Sequence, residues 1–153
     1  MKNVTIRPIK EKDYESINTW WEGNNYNPPP RELLPENGLH GLMICKEKKL
    51  VACAYLYTTN SKMGYCDYLV ANPNYKQKDR FEIITQLMVA CVETACALGF
   101  LDFWFITNNK NMIERCRELN VHVSPSEYSL VLPLRYNKFI NNSDPEKLKQ
   151  THE

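Results

Sequence analysis

One stretch, residues 65–99, constrains the fold of this chain most, because it predicts a strand, a turn and one long helix in succession. Apolar and polar residues partly alternate from Cys66 to Val70, which is typical of a half-buried strand. The sequence Asn72-Pro73-Asn74 predicts a turn, and Gly99 is the expected helix stop. The apolar stripe of the helix, which we expect to face the core, comprises Phe81, Ile84, Leu87, Met88, Cys91, Val92, Ala95 and Leu98.

The loop before this helix, residues 75–80, carries three cations at the expected helix N-terminus. Backbone N–H groups point outward from such a terminus, so the loop can bind an anion. Asp79 and Glu82 also have the spacing of a capping box, in which the Asp79 carboxylate accepts an amide of the first turn. The loop therefore predicts either an anion site or a helix that caps its own N-terminus.

These residues resemble motif A of the GNAT superfamily of acyl-CoA-dependent N-acyltransferases. Residues 70–76 fit the pattern V-x-N/D-P-x-Y-[RK], and residues 95–100 fit A-x-x-L-G-[FY]. The resemblance covers most of residues 4–132. It implies an α/β fold with a mostly antiparallel central sheet, one parallel strand pair and helices on both faces. We expect that domain to span residues 1–136, followed by a polar, loosely held tail over residues 137–153.

The resemblance implies acetyl-CoA, or another acyl-CoA, as co-substrate. In the family, backbone N–H groups of a loop with the pattern [QR]-x-x-G-x-[GA] hold the pyrophosphate. This chain departs from that pattern, with Asp79 in place of the glycine and Phe81 in place of the small residue. The cofactor-binding residues that the resemblance implies also include the backbone of the strand before this loop and one asparagine of the family's motif B. The implied cofactor-binding residues are Leu69, Val70, Ala71, Lys76, Gln77, Lys78, Asp79, Arg80, Phe81 and Asn109.

Two residues are the catalytic candidates that the resemblance implies. Asp67 takes the position of a strand glutamate that often serves as the base, and half-burial of such an acid raises its pKa toward neutrality. The alternative is an aspartate that faces solvent or bonds the hydroxyl of Tyr65 or Tyr68. Cys116 takes the position of the motif B tyrosine that reprotonates the coenzyme thiolate. The alternative is that Cys116 is a core residue.

The acceptor site in the family usually lies between the first and second strands. In this chain that segment includes Asn24–Gly38, whose four prolines predict a stiff loop with one helical turn near Arg31–Leu34. Adjacent positions on a helix do not both point inward, so one of Trp20 and Trp21 is expected to be a pocket wall or a partly exposed aromatic. The candidate acceptor-binding residues are Trp20, Trp21, Tyr26, Arg31 and Glu32.

The remaining elements follow from local periodicity and turn residues. The first strand contains Pro8 and is expected near a sheet edge. The next three strands are joined by short links and predict an antiparallel meander, and the strand after the long helix pairs in parallel. The predicted strands are 4–9, 42–45, 50–57, 63–70, 101–106, 121–123 and 128–132, and the further helices are 13–22 and 111–119.

Composition excludes several classes of protein. A net charge of +1 over 153 residues gives no electrostatic reason to expect nucleic acid or an acidic membrane as partner. The N-terminus lacks an apolar signal core, so we expect a cytoplasmic protein, as a monomer or homodimer. The cysteines lack metal-ligand spacing and predict free, buried thiols and no metal site. They are Cys45, Cys53, Cys66, Cys91, Cys96 and Cys116.

The function that the resemblance implies is transfer of an acetyl or short acyl group from acyl-CoA to a primary amine by direct attack. The acceptor, a small molecule or a protein, is not specified by the sequence. The alternative is a catalytically inactive module of the same fold that binds a protein or senses a ligand. Asp79, Phe81 and Cys116 favour this alternative, whereas Lys76 and Asn109 favour the enzyme.

Overall fold

The computed structural model describes residues 3–105, 107 and 109–118, which form a mixed five-stranded sheet flanked by helices. The strands lie in sequence order across the sheet. The first four pair antiparallel, and the fourth and fifth pair in parallel. This confirms the predicted fold class. The strands are β1 (Val4–Pro8), β2 (Gly41–Lys46), β3 (Lys49–Tyr57), β4 (Met63–Ala71) and β5 (Asp102–Phe105).

Within the described ranges, three α-helices accompany the sheet: α1 (Tyr14–Gly23), α2 (Arg80–Ala97) and α3 (Lys110–Glu118). The proline-rich segment after α1 contains the predicted helical turn, a 3-10 turn at Arg31–Leu33, and a second 3-10 turn at Pro35–Gly38 that was not predicted. The strands predicted at 121–123 and 128–132, the end of the predicted domain and the polar tail lie outside the described residues.

The core lies on both faces of β3, whose side chains alternate between two clusters. Ala52, Ala54 and Leu56 pack with α2 on one face. Cys53 and Tyr55 pack with α1 on the other. Helices therefore cover both faces of the sheet, as the resemblance implies.

The predicted apolar stripe of α2 matches the buried residues at the centre of the stripe and differs from them at its borders. Gly99 ends the helix with φ 81°, as predicted. Phe81, Val92 and Leu98 are exposed, whereas Ile83, which the stripe omitted, is fully buried. Phe81 and Val92 lie about 80–100° from the centre of the buried face at 100° per residue, and Leu98 lies beyond the last helical residue.

Both tryptophans of α1 are buried, with 5% and 3% of their surface exposed, so the expectation that only one points inward is wrong. Trp21 packs on the sheet, stacked on Tyr55 at 6.2 Å between ring centroids. Trp20 belongs to the same cluster as Leu34 of the following loop. The loop thus covers the shoulder of α1 that periodicity assigned to solvent.

All six cysteines are free, as predicted. Five of them are buried, but Cys96 is exposed, which corrects the prediction that all are core residues. Cys96 lies one position after Ala95, which is on the buried face near the end of α2.

Candidate functional site

Among the described residues, the second half of β4 has no partner strand on its β5 side. Tyr55 pairs with Asp67 and Cys53 with Val70, so β4 has one extra residue and forms a bulge there. Tyr68, in this bulge, has φ 50°. Pairing with β5 is described only as far as Cys66. From residue 67 to residue 71 the backbone N–H and C=O groups on the β5 side therefore have no sheet partner in the described part of the chain.

A cavity of about 380 Å³ opens at this unpaired half. Five parts of the chain line it: the end of α1 with the following loop, residues 66–71 of β4, the start of α2, the end of β5 at Phe105, and the segment that contains α3. Of the residues predicted as site residues, those that line it are Trp21, Tyr26, Asp67, Leu69, Val70, Ala71, Arg80 and Asn109.

Asp67 is the single carboxylate among the described residues that line the cavity. Burial raises the pKa of this carboxyl, and the hydrogen bond that its Oδ1 accepts from the Tyr68 amide at 2.6 Å opposes the shift without cancelling it. Asp67 therefore holds a proton to higher pH than an ordinary aspartate. Its partner is a backbone amide and neither of the expected tyrosine hydroxyls.

The predicted capping box is wrong. Asp79 occupies the N-cap position of α2, but its carboxylate accepts no amide of the helix. It forms an ion pair with Lys46 Nζ at the end of β2 and accepts the Tyr75 hydroxyl at 2.9 Å. The hydrogen bond from Lys46, with that from Tyr75, lowers the pKa of Asp79. An ion pair between residues distant in sequence has replaced the local cap.

The other residues of the predicted pyrophosphate-binding loop differ in whether they line the cavity. Lys76, Gln77 and Lys78 are exposed and do not line the cavity. Arg80 does line it, and its Nη1 donates to the carbonyls of Asn72 at 2.6 Å and Tyr75 at 2.7 Å.

Asn109 precedes α3 and lines the cavity. Its Oδ1 accepts the Met112 amide at 3.3 Å, which caps the N-terminus of α3. Cys116 lies one helical turn after Met112, is buried and does not line the cavity. Burial raises the pKa of its thiol.

Sequence reasoning missed Arg115, which is 8% exposed and lines the cavity. Its guanidinium carbon lies 4.3 Å from the centre of the Phe81 ring. A signal was present in the sequence, because Arg115 interrupts the helical face that Met112 and Cys116 predict to be apolar.

The candidate acceptor-binding residues do not all lie at the cavity. Trp21 and the exposed Tyr26 line the cavity, whereas Trp20, Arg31 and Glu32 do not. Arg31 instead pairs with Glu11 at 2.6 Å and lies over the Tyr14 ring.

The cavity thus combines unpaired backbone groups, one acid of raised pKa and two guanidinium groups. Within the described ranges, no three His, Cys, Asp or Glu side chains are grouped as a metal site. None of the helices in those ranges has the length and apolarity that crossing a bilayer requires.

Comparison with known proteins gives matches at the level of structure alone. No family model matches the sequence, and no curated protein matches it. An acetyltransferase from Trypanosoma brucei superposes with a TM-score of 0.61 at 13% identity, covering 85% of this chain and 100% of that one. N-acetylglutamate synthase from Neisseria gonorrhoeae, in complex with coenzyme A and N-acetylglutamate, gives 0.61 at 19% identity, covering 76% of this chain and 28% of that one.

The ribosomal-protein-S18-alanine N-acetyltransferase from Escherichia coli gives a TM-score of 0.61 at 13% identity and covers 76% of each chain. The last two proteins are named for different acetylated compounds, and what all three share with this chain is the fold. The chain has the fold of the GNAT acetyltransferases.

Proposed function

We propose that this protein transfers an acetyl or other short acyl group from acyl-CoA to a primary amine. The observation that carries the proposal is the second half of β4, residues 67–71, which has no partner strand on its β5 side among the described residues and lines a cavity that also holds a carboxyl of raised pKa. Unpaired backbone amides in a cavity are donors for an amide-containing arm and for a carbonyl that gains negative charge.

The fit of acyl-CoA to this site rests on the donors present. The backbone of Leu69, Val70 and Ala71 lies at the cavity wall, where it can pair with the amides of a pantetheine arm as a neighbouring strand would. Arg115 Nε is buried and lacks an acceptor among the described residues, as expected of a group that serves an anionic ligand. The bound thioester supplies the activated acyl group.

Asp67 is the proposed base. An amine attacks as the free base, so its proton needs an acceptor close to the reacting carbon, directly or through one water. Asp67 lies in the bulge beside the proposed backbone donors, and its raised pKa brings it closer to the pKa of a working base at neutral pH. In this proposal, the deprotonated carboxylate of Asp67 accepts the proton that the attacking amine loses.

The acceptor enters, in this proposal, from the side of Trp21 and Tyr26. Tyr26 is 58% exposed and leaves that end open. Structural neighbours include enzymes named for an amino acid, an aminoglycoside and a ribosomal-protein alanine, so the fold accommodates small-molecule and protein amines alike. We propose that the acceptor is a primary amine, and we propose no narrower chemical class.

Asp67→Asn tests the proposal. We expect turnover to fall by about 10²–10⁴-fold, because the substituted amide cannot accept the proton, while KM for acyl-CoA changes little. Below the raised pKa of Asp67, the wild-type rate decreases as the pH decreases, because the carboxylate becomes protonated. The rate of the Asp67→Asn variant does not show this decrease. Asp102→Asn, an exposed aspartate at the start of β5, is the matched control and should retain wild-type turnover. Turnover unaffected by Asp67→Asn would remove the assigned role.

A second candidate function, an inactive binding or sensing module, is favoured by the position of Cys116. Because Cys116 lies outside the cavity lining, α3 brings no acid to the place where the family's tyrosine would act. Calorimetric titration with acetyl-CoA and coenzyme A separates the two candidates. Saturable micromolar binding supports the enzyme, and absence of binding at millimolar ligand supports the module.

A further inference from the structure

Aromatic rings lie around Asp67 on the face of β3 and β4 that packs with α1. Asp67 is the cross-strand partner of Tyr55, and the next pair on the same face, Tyr57 and Tyr65, is stacked with 4.5 Å between ring centroids. The ring of Tyr68, the residue after Asp67, lies 6.4 Å from that of Tyr57. Burial and the charge of Asp67 raise the pKa of Tyr65 and of Tyr68. The carboxyl of Asp67 therefore lies in mainly aromatic surroundings.

Two polar side chains near this acid already have their partners within the protein. Asn24, which lines the cavity, donates both hydrogens of its side-chain amide, to the carbonyls of Trp20 at 2.7 Å and Ala71 at 2.9 Å. The Tyr57 hydroxyl donates to the Leu33 carbonyl at 2.9 Å. These donors hold the loop and the end of β4 in place, so they are not available to an acceptor.

Tyr26 and Tyr68 present ring surface to the cavity. Tyr26 is 58% exposed, Tyr68 is half-buried, and both residues line the cavity. Tyr68 has φ 50°, a conformation that is uncommon for a bulky residue, and its ring packs edge to face with Trp21 at 6.4 Å. Packing therefore fixes the direction of the Tyr68 ring, one residue from Asp67. A flat group bound beside the carboxyl can stack on these two rings.

The charges along the cavity favour an acceptor with a single amine. Asp67 is the one acid among the described residues that line it, whereas two arginines, Arg80 and Arg115, line it as well. These residues together leave the cavity net positive, so the second cation of a polyamine would be repelled. A single ammonium has Asp67 as its partner, and the negative faces of the neighbouring rings attract it. This end of the cavity thus suits one amine attached to a flat apolar group.

We propose that the acceptor is a primary monoamine that carries an aromatic ring, with its nitrogen at Asp67 and its ring on Tyr26 and Tyr68. Acyl transfer to this amine rests on the proposed function, whereas recognition of the amine does not. The same chemistry is present in a small aromatic amine and in the N-terminal residue of a peptide that begins with phenylalanine. The experiment therefore includes one ligand of each kind.

Calorimetry with four ligands tests the proposal, with and without saturating coenzyme A. The ligands are phenethylamine, cyclohexylethylamine, spermidine and a tripeptide amide that begins with phenylalanine. Wild-type protein should bind phenethylamine about 3–10-fold more tightly than cyclohexylethylamine, which is similar in size but has no aromatic ring to stack. Spermidine should bind more weakly than phenethylamine, because it carries further positive charges into a cavity that is already net positive.

Four variants locate the ring of the ligand. Tyr26→Ala removes an exposed stacking surface, so it should weaken phenethylamine by about 5–50-fold and change spermidine binding by less than about twofold. Tyr26→Phe keeps the ring and should bind as wild type does. Trp104→Ala is the matched control, since Trp104 is 50% exposed and does not line the cavity. Tyr68→Gly removes the second ring at a φ of 50° that glycine accepts, and it should act as Tyr26→Ala does.

Each comparison has a result that contradicts the proposal. Cyclohexylethylamine bound as tightly as phenethylamine, or spermidine bound more tightly, would overturn the aromatic monoamine. Equal weakening of phenethylamine by Tyr26→Ala and Trp104→Ala would overturn the position of the ring, and phenethylamine that does not bind wild type in either condition overturns the whole inference. The tripeptide separates the two sources: affinity equal to that of phenethylamine supports a peptide N-terminus, and binding of phenethylamine alone supports a small aromatic amine.

Failure of the proposed function has a different signature. Mass spectrometry after incubation with acetyl-CoA detects the acetylated form of each amine. Phenethylamine that binds only while the Tyr26 ring is present, yet yields no acetylated product, would retain the aromatic-amine site and remove the acyltransferase. Acetylation of spermidine that does not depend on Tyr26, without acetylation of phenethylamine, would retain the acyltransferase and overturn the site.

Discussion

Two regions of the molecule hold poorly exposed arginines, and they differ in what faces the guanidinium. Arg7 on β1 donates two hydrogen bonds to Asp13, at 2.6 and 2.9 Å, and the Asp13 side chain is 3% exposed. Arg80 and Arg115 face the cavity with no described carboxylate in reach of a salt bridge. An arginine that holds the fold has its counter-charge within the fold. Arg115 Nε has no acceptor among the described residues, which supports its proposed contact with an anionic ligand.

The largest effect in this comparison is expected from Asp13→Asn. The substitution leaves Arg7 without its counter-charge and weakens the bond that Asp13 accepts from the Lys10 amide at 2.8 Å. Removing one partner of a buried ion pair is strongly destabilising, so we expect the free energy of unfolding to fall by about 3 kcal/mol. Urea denaturation at pH 7 measures it.

The pH dependence of this loss identifies its cause. Burial alone would raise the pKa of Asp13, but the bonds from Arg7 and the Lys10 amide outweigh it and lower the pKa below the ordinary 3.8. The stabilisation is therefore complete above the unfolded-state pKa and disappears as pH falls through the folded-state value. The variant and wild type should converge in acid. Glu11→Gln, which breaks the exposed pair with Arg31, should change stability much less.

Arg115→Met is expected to act in the opposite direction on stability. It removes a desolvated charge and its repulsion with Arg80, at the cost of the contact with the Phe81 ring, worth about 0.5–1 kcal/mol. We expect the ligand-free variant to be more stable than wild type by about 1 kcal/mol, as is common when a binding residue is replaced. Thermal and urea denaturation measure this.

Under the proposed function, added coenzyme A should reverse that order, because a ligand stabilises the protein that binds it. A ligand-free Arg115→Met variant that loses more than about 1 kcal/mol would instead group Arg115 with Arg7, as an arginine that holds the fold.

The fold was predictable because its elements are encoded locally. Alternation over 66–70 and the 3.6-residue period after Phe81 identify β4 and α2 without any tertiary information. The proline-rich segment was correctly predicted as a loop with a helical turn near Arg31, but its second turn and its packing over Trp20 were not predicted. Burial at the border of a helix face depends on which distant segment covers it, and periodicity does not report that.

The site was less predictable because its decisive contacts join residues far apart in sequence. Asp79 and Glu82 have ideal cap spacing, yet Lys46, 33 residues before Asp79, takes the carboxylate. The bulge at Tyr68 depends on the register between β3 and β4, which the sequence of β4 alone does not set. The sequence did contain one sign of Arg115, a cation on an apolar helix face.

The smallest effect is expected from Asp79→Asn. The residue stands where the resemblance expects a glycine, and a carboxylate at a helix N-terminus would repel a diphosphate. In the structure that charge is already paired with Lys46 and directed toward Tyr75. Under the proposed function, we therefore expect coenzyme A affinity to rise by only about two- to fivefold, the range that a terminal charge contributes. Isothermal titration at low salt gives the ratio.

Two further variants, Glu82→Gln and Lys46→Met, test whether Lys46 neutralises the charge of Asp79. Glu82, exposed in the same turn of α2, has no salt bridge with a described residue, so its neutralisation should raise the affinity at least as much as Asp79→Asn. Lys46→Met releases the Asp79 charge and should weaken binding, and adding Asp79→Asn to it should restore the affinity. A rise of tenfold or more from Asp79→Asn alone would show that Lys46 does not neutralise Asp79, and that this carboxylate is what opposes the anion.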